Sequence, residues 1–224
     1  MNKAKPARIV SLRLMDRLQG SLAKRLGILP EFTLCRNGSL AAWGWSKSWQ
    51  TRRSERADGT PIPWFTYPAI RFLEGKDLSD AVVYEYGAGN STLWWARRAR
   101  IVAACEDNPA WHKHVASHAL ENVTLVLATD HDAYCKSIRL YNCLMDIVVI
   151  DGVHRPGCLA AAPPRLTSRG VIIWDNAERD DARSCEPLMV SAGWRRVDLW
   201  GFGAVNTYEW CTTVWYRPGN ILGI

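Results

Sequence analysis

Apolar residues are arranged differently on the two sides of about residue 63. Beyond it, short uninterrupted runs rich in Val, Ile and aromatic residues alternate with longer mixed segments. That alternation predicts an α/β fold with a largely parallel sheet. Five strands are expected in succession, at Val82–Tyr86, Ile101–Glu106, Thr124–Ala128, Asp146–Ile150 and Val171–Trp174. Runs with no polar alternation suit strands covered by helices on both faces. Two further runs, Trp194–Trp200 and Cys211–Tyr216, flank a Gly-containing loop and predict a C-terminal antiparallel hairpin, giving seven strands in all. Before residue 63, Met15, Leu18, Leu22, Leu26 and Leu29 recur at helical three- and four-residue steps with Arg13, Arg17, Lys24 and Arg25 between them. This is the pattern of a basic amphipathic helix, ended near Gly27–Pro30. The stretch Trp43–Pro63 has little periodicity and reads as a loop or cover. The expected division is a basic helical arm and loop, residues 1–60, followed by one larger unit, residues 61–224.

Composition narrows the class without naming a chemistry. The 224 residues are 48% hydrophobic and 22% charged, with a mean hydropathy of −0.17, as in ordinary globular proteins. No apolar run approaches the roughly 18 residues of a membrane-spanning helix. The basic amino terminus lacks the apolar stretch of a secretory signal, because Arg13, Asp16 and Arg17 interrupt it, so a cytoplasmic protein is expected. Seven cysteines with no Cys-x-x-Cys pair fit reduced thiols rather than a disulfide framework or zinc knuckle. The net charge of +6 is uneven: residues 1–60 carry 12 Lys or Arg against 4 Asp or Glu, and the remainder 16 against 18. A basic helix of this kind packs on the body or on a second subunit, or lies on an anionic membrane surface through residues 8–29. Nucleic acid is a weaker expectation, because the larger unit is slightly acidic and contains no recognisable aromatic-basic module.

The sharpest motif is Glu85-Tyr86-Gly87-Ala88-Gly89-Asn90-Ser91-Thr92, where the first strand turns into a helix. Gly87 and Gly89 permit a tight turn and close approach of a ligand, and free amides at the helix start favour polar or anionic ligand atoms. Glu106, with Asp107 beside it, ends the next strand. A carboxylate there is able to accept both hydroxyl protons of a ribose, which points to an adenosine-containing ligand.

This constellation resembles the class I S-adenosylmethionine-dependent methyltransferases, whose first motif has the form Glu/Asp-x-Gly-x-Gly, and the resemblance runs from about residue 63 to the end. It implies a Rossmann-like sheet with helices on both faces and S-adenosylmethionine as methyl donor. It also implies a ribose contact at Glu106 and an adenine-side residue at Thr129 or Asp130. Ser91 departs from the pattern, standing where a third glycine is common.

A second group of residues bears on the reaction. Asp151-Gly152-Val153-His154-Arg155 follows the fourth strand, and Asp175-Asn176 follows the fifth. Neighbouring parallel strands bring Asp151, Asp175 and Asn176 to one sheet edge, an oxygen set of the kind Mg²⁺ or Ca²⁺ prefers. The trio resembles the metal site of the catechol O-methyltransferase type and, more loosely, of macrocin-type sugar O-methyltransferases. In the former a lysine serves as base where this chain has His154, whose imidazole is suited to take a proton at neutral pH. The bland alternatives are that Asp151 and Asp175 cap helices or bind loop amides. Arg155 either clamps an acceptor anion or pairs with Asp180 or Asp181. The leading expectation is O-methylation of a small-molecule hydroxyl, sugar or phenolic, with metal assistance and Asp151 and His154 as catalytic groups. The competing ones are an RNA or protein methyltransferase and a non-catalytic scaffold. A homo-oligomer stays open.

Overall fold

The computed structural model describes residues 17–224. Seven strands form one sheet: β1 (Val82–Tyr86), β2 (Ile101–Glu106), β3 (Val123–Leu127), β4 (Met145–Ile150), β5 (Leu166–Asp175), β6 (Arg195–Gly201) and β7 (Trp210–Tyr216). Their spatial order is β3-β2-β1-β4-β5-β7-β6. The first five are parallel, and β7 enters antiparallel between β5 and β6. The expected α/β fold, with its parallel sheet and C-terminal hairpin, is the one observed. Strand β5 begins five residues before its apolar run, and the exposed Ser168 and Arg169 explain why that extension leaves no apolar signal.

Side chains alternate between two cores as a pleated strand requires. Val83, Val102, Ile147, Val149, Ile173 and Val214 face one side, with Trp94, Trp95, Ile70 and Leu73 packed over them. Tyr84, Tyr86, Val148, Ile150, Ile172 and Trp174 face the other, under Tyr134, Ile138, Leu159 and Met189. The helices supplying these covers are α5 (Tyr67–Glu74), α6 (Asn90–Ala96), α8 (His131–Lys136), α9 (Arg155–Ala161) and α10 (Asp180–Ser191), while α7 (Pro109–Ala116) packs Val115 into a smaller cluster with Ala88 and Ala104. Strand β3 lies at the sheet edge, and its burial is accordingly partial. All seven cysteines are free.

Upstream, a helix α1 covers residues 17–25, followed by α2 (Leu29–Arg36), α3 (Ser39–Trp43) and α4 (Trp45–Thr51). The turn after α1 falls where Gly27 predicts it. Leu18, Leu22 and Leu26 of its apolar stripe are 62%, 58% and 63% exposed, while Ala23 is buried. The remaining arm residues Arg13 and Met15, and positions 8–16 generally, lie outside the described residues.

The segment expected to be a loop contains helix α4 and packs on the sheet domain. Trp43 stacks on Tyr67 at 4.4 Å between centroids, with the Arg56 guanidinium 4.7 Å from its ring. Trp45 Nε1 donates to the Asn206 carbonyl at 2.8 Å. Ser48 is buried and donates to the Glu55 carbonyl at 2.7 Å. The Trp43 and Trp45 contacts to Tyr67 and Asn206 reach beyond the segment, so local periodicity does not reveal them.

Candidate active site

Parallel register aligns the carboxyl ends of four strands. Tyr86 pairs with Cys105 on one side and Ile150 on the other, and Ile150 pairs with Trp174. The next residue of each chain segment, Gly87, Glu106, Asp151 and Asp175, therefore stands in one row above the sheet, where open parallel sheets bind ligands. A cavity of about 710 Å³ opens there, lined by all four of these residues together with Gly89, Asn90, Ser91, Asp107 and Asn176.

The turn after β1 is braced from below. Glu85 is fully buried, and its Oε2 accepts from the Thr92 hydroxyl, while Thr92 Oγ1 accepts the Gly89 amide at 2.9 Å. Burial pushes Glu85 up to about 7, against the hydroxyls of Thr92 and Ser91. Glu85 thus holds the turn and does not line the cavity. Gly87 has φ +92°, and a Cβ there would lie 2.8 Å from the Gly152 Cα. At Gly152 a Cβ would fall 1.9 Å from the Tyr134 hydroxyl. Those two glycines let the loops after β1 and β4 touch. Gly89 differs: its backbone is extended, and the nearest atoms to an added Cβ are 3.8–3.9 Å away, on Ser91 and Trp111. The fold tolerates a side chain at Gly89, and its absence leaves the space to a ligand.

Glu106 Oε2 accepts from the Ala88 amide at 3.2 Å and Oε1 from the Asn108 amide at 2.9 Å. Each carboxylate oxygen accepts more than one hydrogen bond, so Glu106 keeps capacity for a ligand hydroxyl. Burial raises its pKa, opposed by the Asn108 amide. Asp107 lies beside it in the cavity wall. Thr129 and Asp130 are not in that wall; Asp130 caps α8, accepting from the amides of Asp132 and Ala133 at 3.0 Å each. Trp111 is on the wall instead, its Nε1 donating to the Ala88 carbonyl at 2.7 Å. His114 stacks on Trp111 at 4.9 Å, and the His118 ring lies tilted against His114 at 4.8 Å, so both rings extend an aromatic rim.

The trio after β4 and β5 is brought together, but around a guanidinium. Arg155, 7% exposed, donates from one Nη to Asp151 Oδ1 and Asn176 Oδ1 at 3.3 Å each. Its other Nη donates to the Asp175 carbonyl, and its Nε to the Gly152 carbonyl at 2.9 Å. Both Asp175 carboxylate oxygens are also taken: Trp210 Nε1 lies 3.0 and 3.2 Å from them, and the Thr212 hydroxyl donates at 2.6 Å. The residues as arranged do not fit a divalent ion. The expected Mg²⁺ site at Asp151, Asp175 and Asn176 is corrected to a buried Arg155 network, because the first residue of α9 supplies the cation. Arg155 pairs with Asp151 rather than with Asp180 or Asp181.

Burial holds Asp175 well above the usual carboxylate range, and the Asp151 carboxyl beside it adds to this against the Thr212 and Trp210 hydrogen bonds. Burial likewise pushes Asp151 up to about 7, with Arg155 and Arg179 pulling it down and Glu85 pushing it up. Asp151 Oδ2 receives no hydrogen bond among the described residues. His154 is at φ +54° and points elsewhere, its ring 4.4 Å from that of His131, outside the cavity wall. Sequence reasoning also missed Arg52, Arg53, Arg97, Arg179 and Tyr208, which line the cavity from distant segments. Only their abundance of charge and aromaticity was visible beforehand.

The architecture matches solved structures of the Rossmann-like methyltransferase fold. Precorrin-6y C5,15-methyltransferase from Geobacter metallireducens GS-15 is 18% identical, with 67% of this chain and 87% of that one covered and a TM-score of 0.54. A methyltransferase-like protein from Silicibacter pomeroyi is 17% identical, with 71% and 90% covered and a TM-score of 0.51. No protein-family model matches the chain, and no curated protein does. What is shared at this identity is the fold. No helix among the described residues is long and apolar enough to cross a membrane.

Proposed function

We propose that the protein is an S-adenosylmethionine-dependent methyltransferase acting on a hydroxyl of a small molecule. The observation that carries this reading is the cavity at the carboxyl edge of this fold, where Gly89 presents bare backbone and Glu106 and Asp107 line the same wall. When bound, S-adenosylmethionine supplies a methyl group made electrophilic by a sulfonium. The Gly87–Ser91 turn presents backbone to the donor, Glu106 and Asp107 accept from its ribose, and Trp111 offers a flat face beside it.

On the acceptor side, Asp151 is the proposed general base. Asp151 lines the cavity, its Oδ2 receives no hydrogen bond among the described residues, and a pKa pushed up to about 7 matches the operating range of such a group. Arg155 fixes the carboxylate through Oδ1, which makes it a positioning residue. Proximity of a held acceptor to the donor accounts for much of the rate in displacements of this type.

The test is calorimetry of S-adenosylmethionine and S-adenosylhomocysteine binding to wild type and Gly89→Val. Both compounds are expected to bind wild type. The variant should lose about tenfold or more in affinity while its Tm stays within about 2 °C. A variant that binds as well as wild type places the donor elsewhere and ends this assignment.

A further inference from the structure

Beyond the donor turn, the same cavity carries four arginines, Arg52, Arg53, Arg97 and Arg179. None of them pairs with a carboxylate among the described residues. Arg52 lies 5.3 Å from the Trp49 ring, and Arg97 donates to the Leu93 carbonyl at 3.1 Å. The side chains of Arg53 and Arg179 make no hydrogen bond, ion pair or ring contact among the described residues.

The acids of the cavity wall are nearly all engaged. Glu55 pairs with Lys47 at 3.6 Å and accepts from Thr51 at 3.3 Å. Glu106 braces two backbone amides, Asp175 is held by Trp210 and Thr212, and Asp151 faces Arg155. The wall therefore shows a ligand guanidinium groups with unused donors, none of them held by the acids that share the wall. Planar guanidinium forks match the oxygens of phosphate in a bidentate way.

Large rings complete the surroundings. Trp64 is 41% and Tyr208 61% exposed, and both line the cavity. A volume of about 710 Å³ falls in the upper part of the range of roughly 300–1,000 Å³ seen for small-ligand clefts. It has room for a compact second ligand next to a donor, whereas a polymer would have to reach in from the rim.

We propose that the methyl acceptor is a small phosphate-bearing molecule, its phosphate gripped by Arg53 and Arg179 and its body laid against Trp64 and Tyr208. This rests on the methyltransferase reading for the word acceptor, but the anion site itself is independent of it. Arg179 follows Asn176 by three residues in the loop after β5, so the phosphate would anchor near Asp151 and set which hydroxyl meets the base.

The experiment is calorimetry with inorganic pyrophosphate as probe, on the full chain, with and without saturating S-adenosylhomocysteine. Wild type is expected to bind pyrophosphate. The double variant Arg53→Ala/Arg179→Ala should bind it at least about tenfold more weakly, with S-adenosylhomocysteine affinity within about twofold of wild type. Benzoate and a short oligoribonucleotide are run in parallel. No pyrophosphate binding, or binding indifferent to the double variant, overturns the proposal. So does benzoate binding as tightly as pyrophosphate, or an oligoribonucleotide binding more tightly with the same arginine dependence, which would make RNA the acceptor. If S-adenosylhomocysteine fails to bind while pyrophosphate binding depends on the two arginines, the anion site stands and the donor assignment falls. Both arginines are exposed, and Arg53→Lys/Arg179→Lys, which keeps the charge but loses the fork, should give an intermediate affinity.

Discussion

The two halves of the sheet edge use the same row of residues in opposite ways. After β1 and β2, Glu106 braces two backbone amides and Gly89 leaves a gap of one small side chain between its Cα and the Ser91 and Trp111 side chains. After β4 and β5, the acids and Asn176 converge just as closely, yet Arg155 fills their centre and satisfies four acceptors. The difference teaches that clustered oxygen ligands define a metal site only when their lone pairs are free. One arginine, buried in the right place, turns the same oxygens into scaffold and leaves a single carboxylate oxygen, Asp151 Oδ2, for chemistry.

The sharpest way to break this comparison is to remove that oxygen's charge. Asp151→Asn is expected to lower kcat by about 10²–10⁴-fold, with donor affinity unchanged. In wild type the rate should fall as pH drops below about 7, because the base protonates there; in the variant this acidic limb should be gone. A limb that persists would show that another group takes the proton.

Next in size is Arg155→Ala. Removing one partner of a buried charged network costs on the order of 3–5 kcal/mol, read as a lowered midpoint in urea unfolding. A loss under about 1 kcal/mol would mean the guanidinium is not the keystone described above. The smallest expected effect is none at all: a chelator should leave the wild-type methylation rate unchanged, and added Mg²⁺ should not shift its Tm. A dependence on the ion would show that the oxygens release Arg155 in solution and would restore the metal reading.

The strands were legible because burial on both faces leaves unbroken apolar runs; β1 and β2 match to the residue. The Gly-x-Gly turn and the acids in the row were legible because each sits immediately after such a run. Arg155 was not, since its partners Asp175 and Asn176 are 20 and 21 positions away, and only register tells that they meet. Thr129 and Asp130 occupy the expected place in chain order, but the short path from β3 into α8 turns the Asp130 carboxylate onto its own helix. His154 illustrates the same limit: lying three residues after Asp151 says nothing about which way a left-handed residue aims its ring.

The Asn90 side chain, at the start of α6, donates to the Ser54 carbonyl at 2.7 Å, and Ser54 in turn donates to Pro63 at 2.8 Å. That short stitch ties the amino-terminal segment to the floor of the cleft. A chain trimmed to start at residue 61 would consequently forfeit a wall of its own binding chamber, Arg52, Arg53 and Glu55 included, instead of shedding a dispensable appendage.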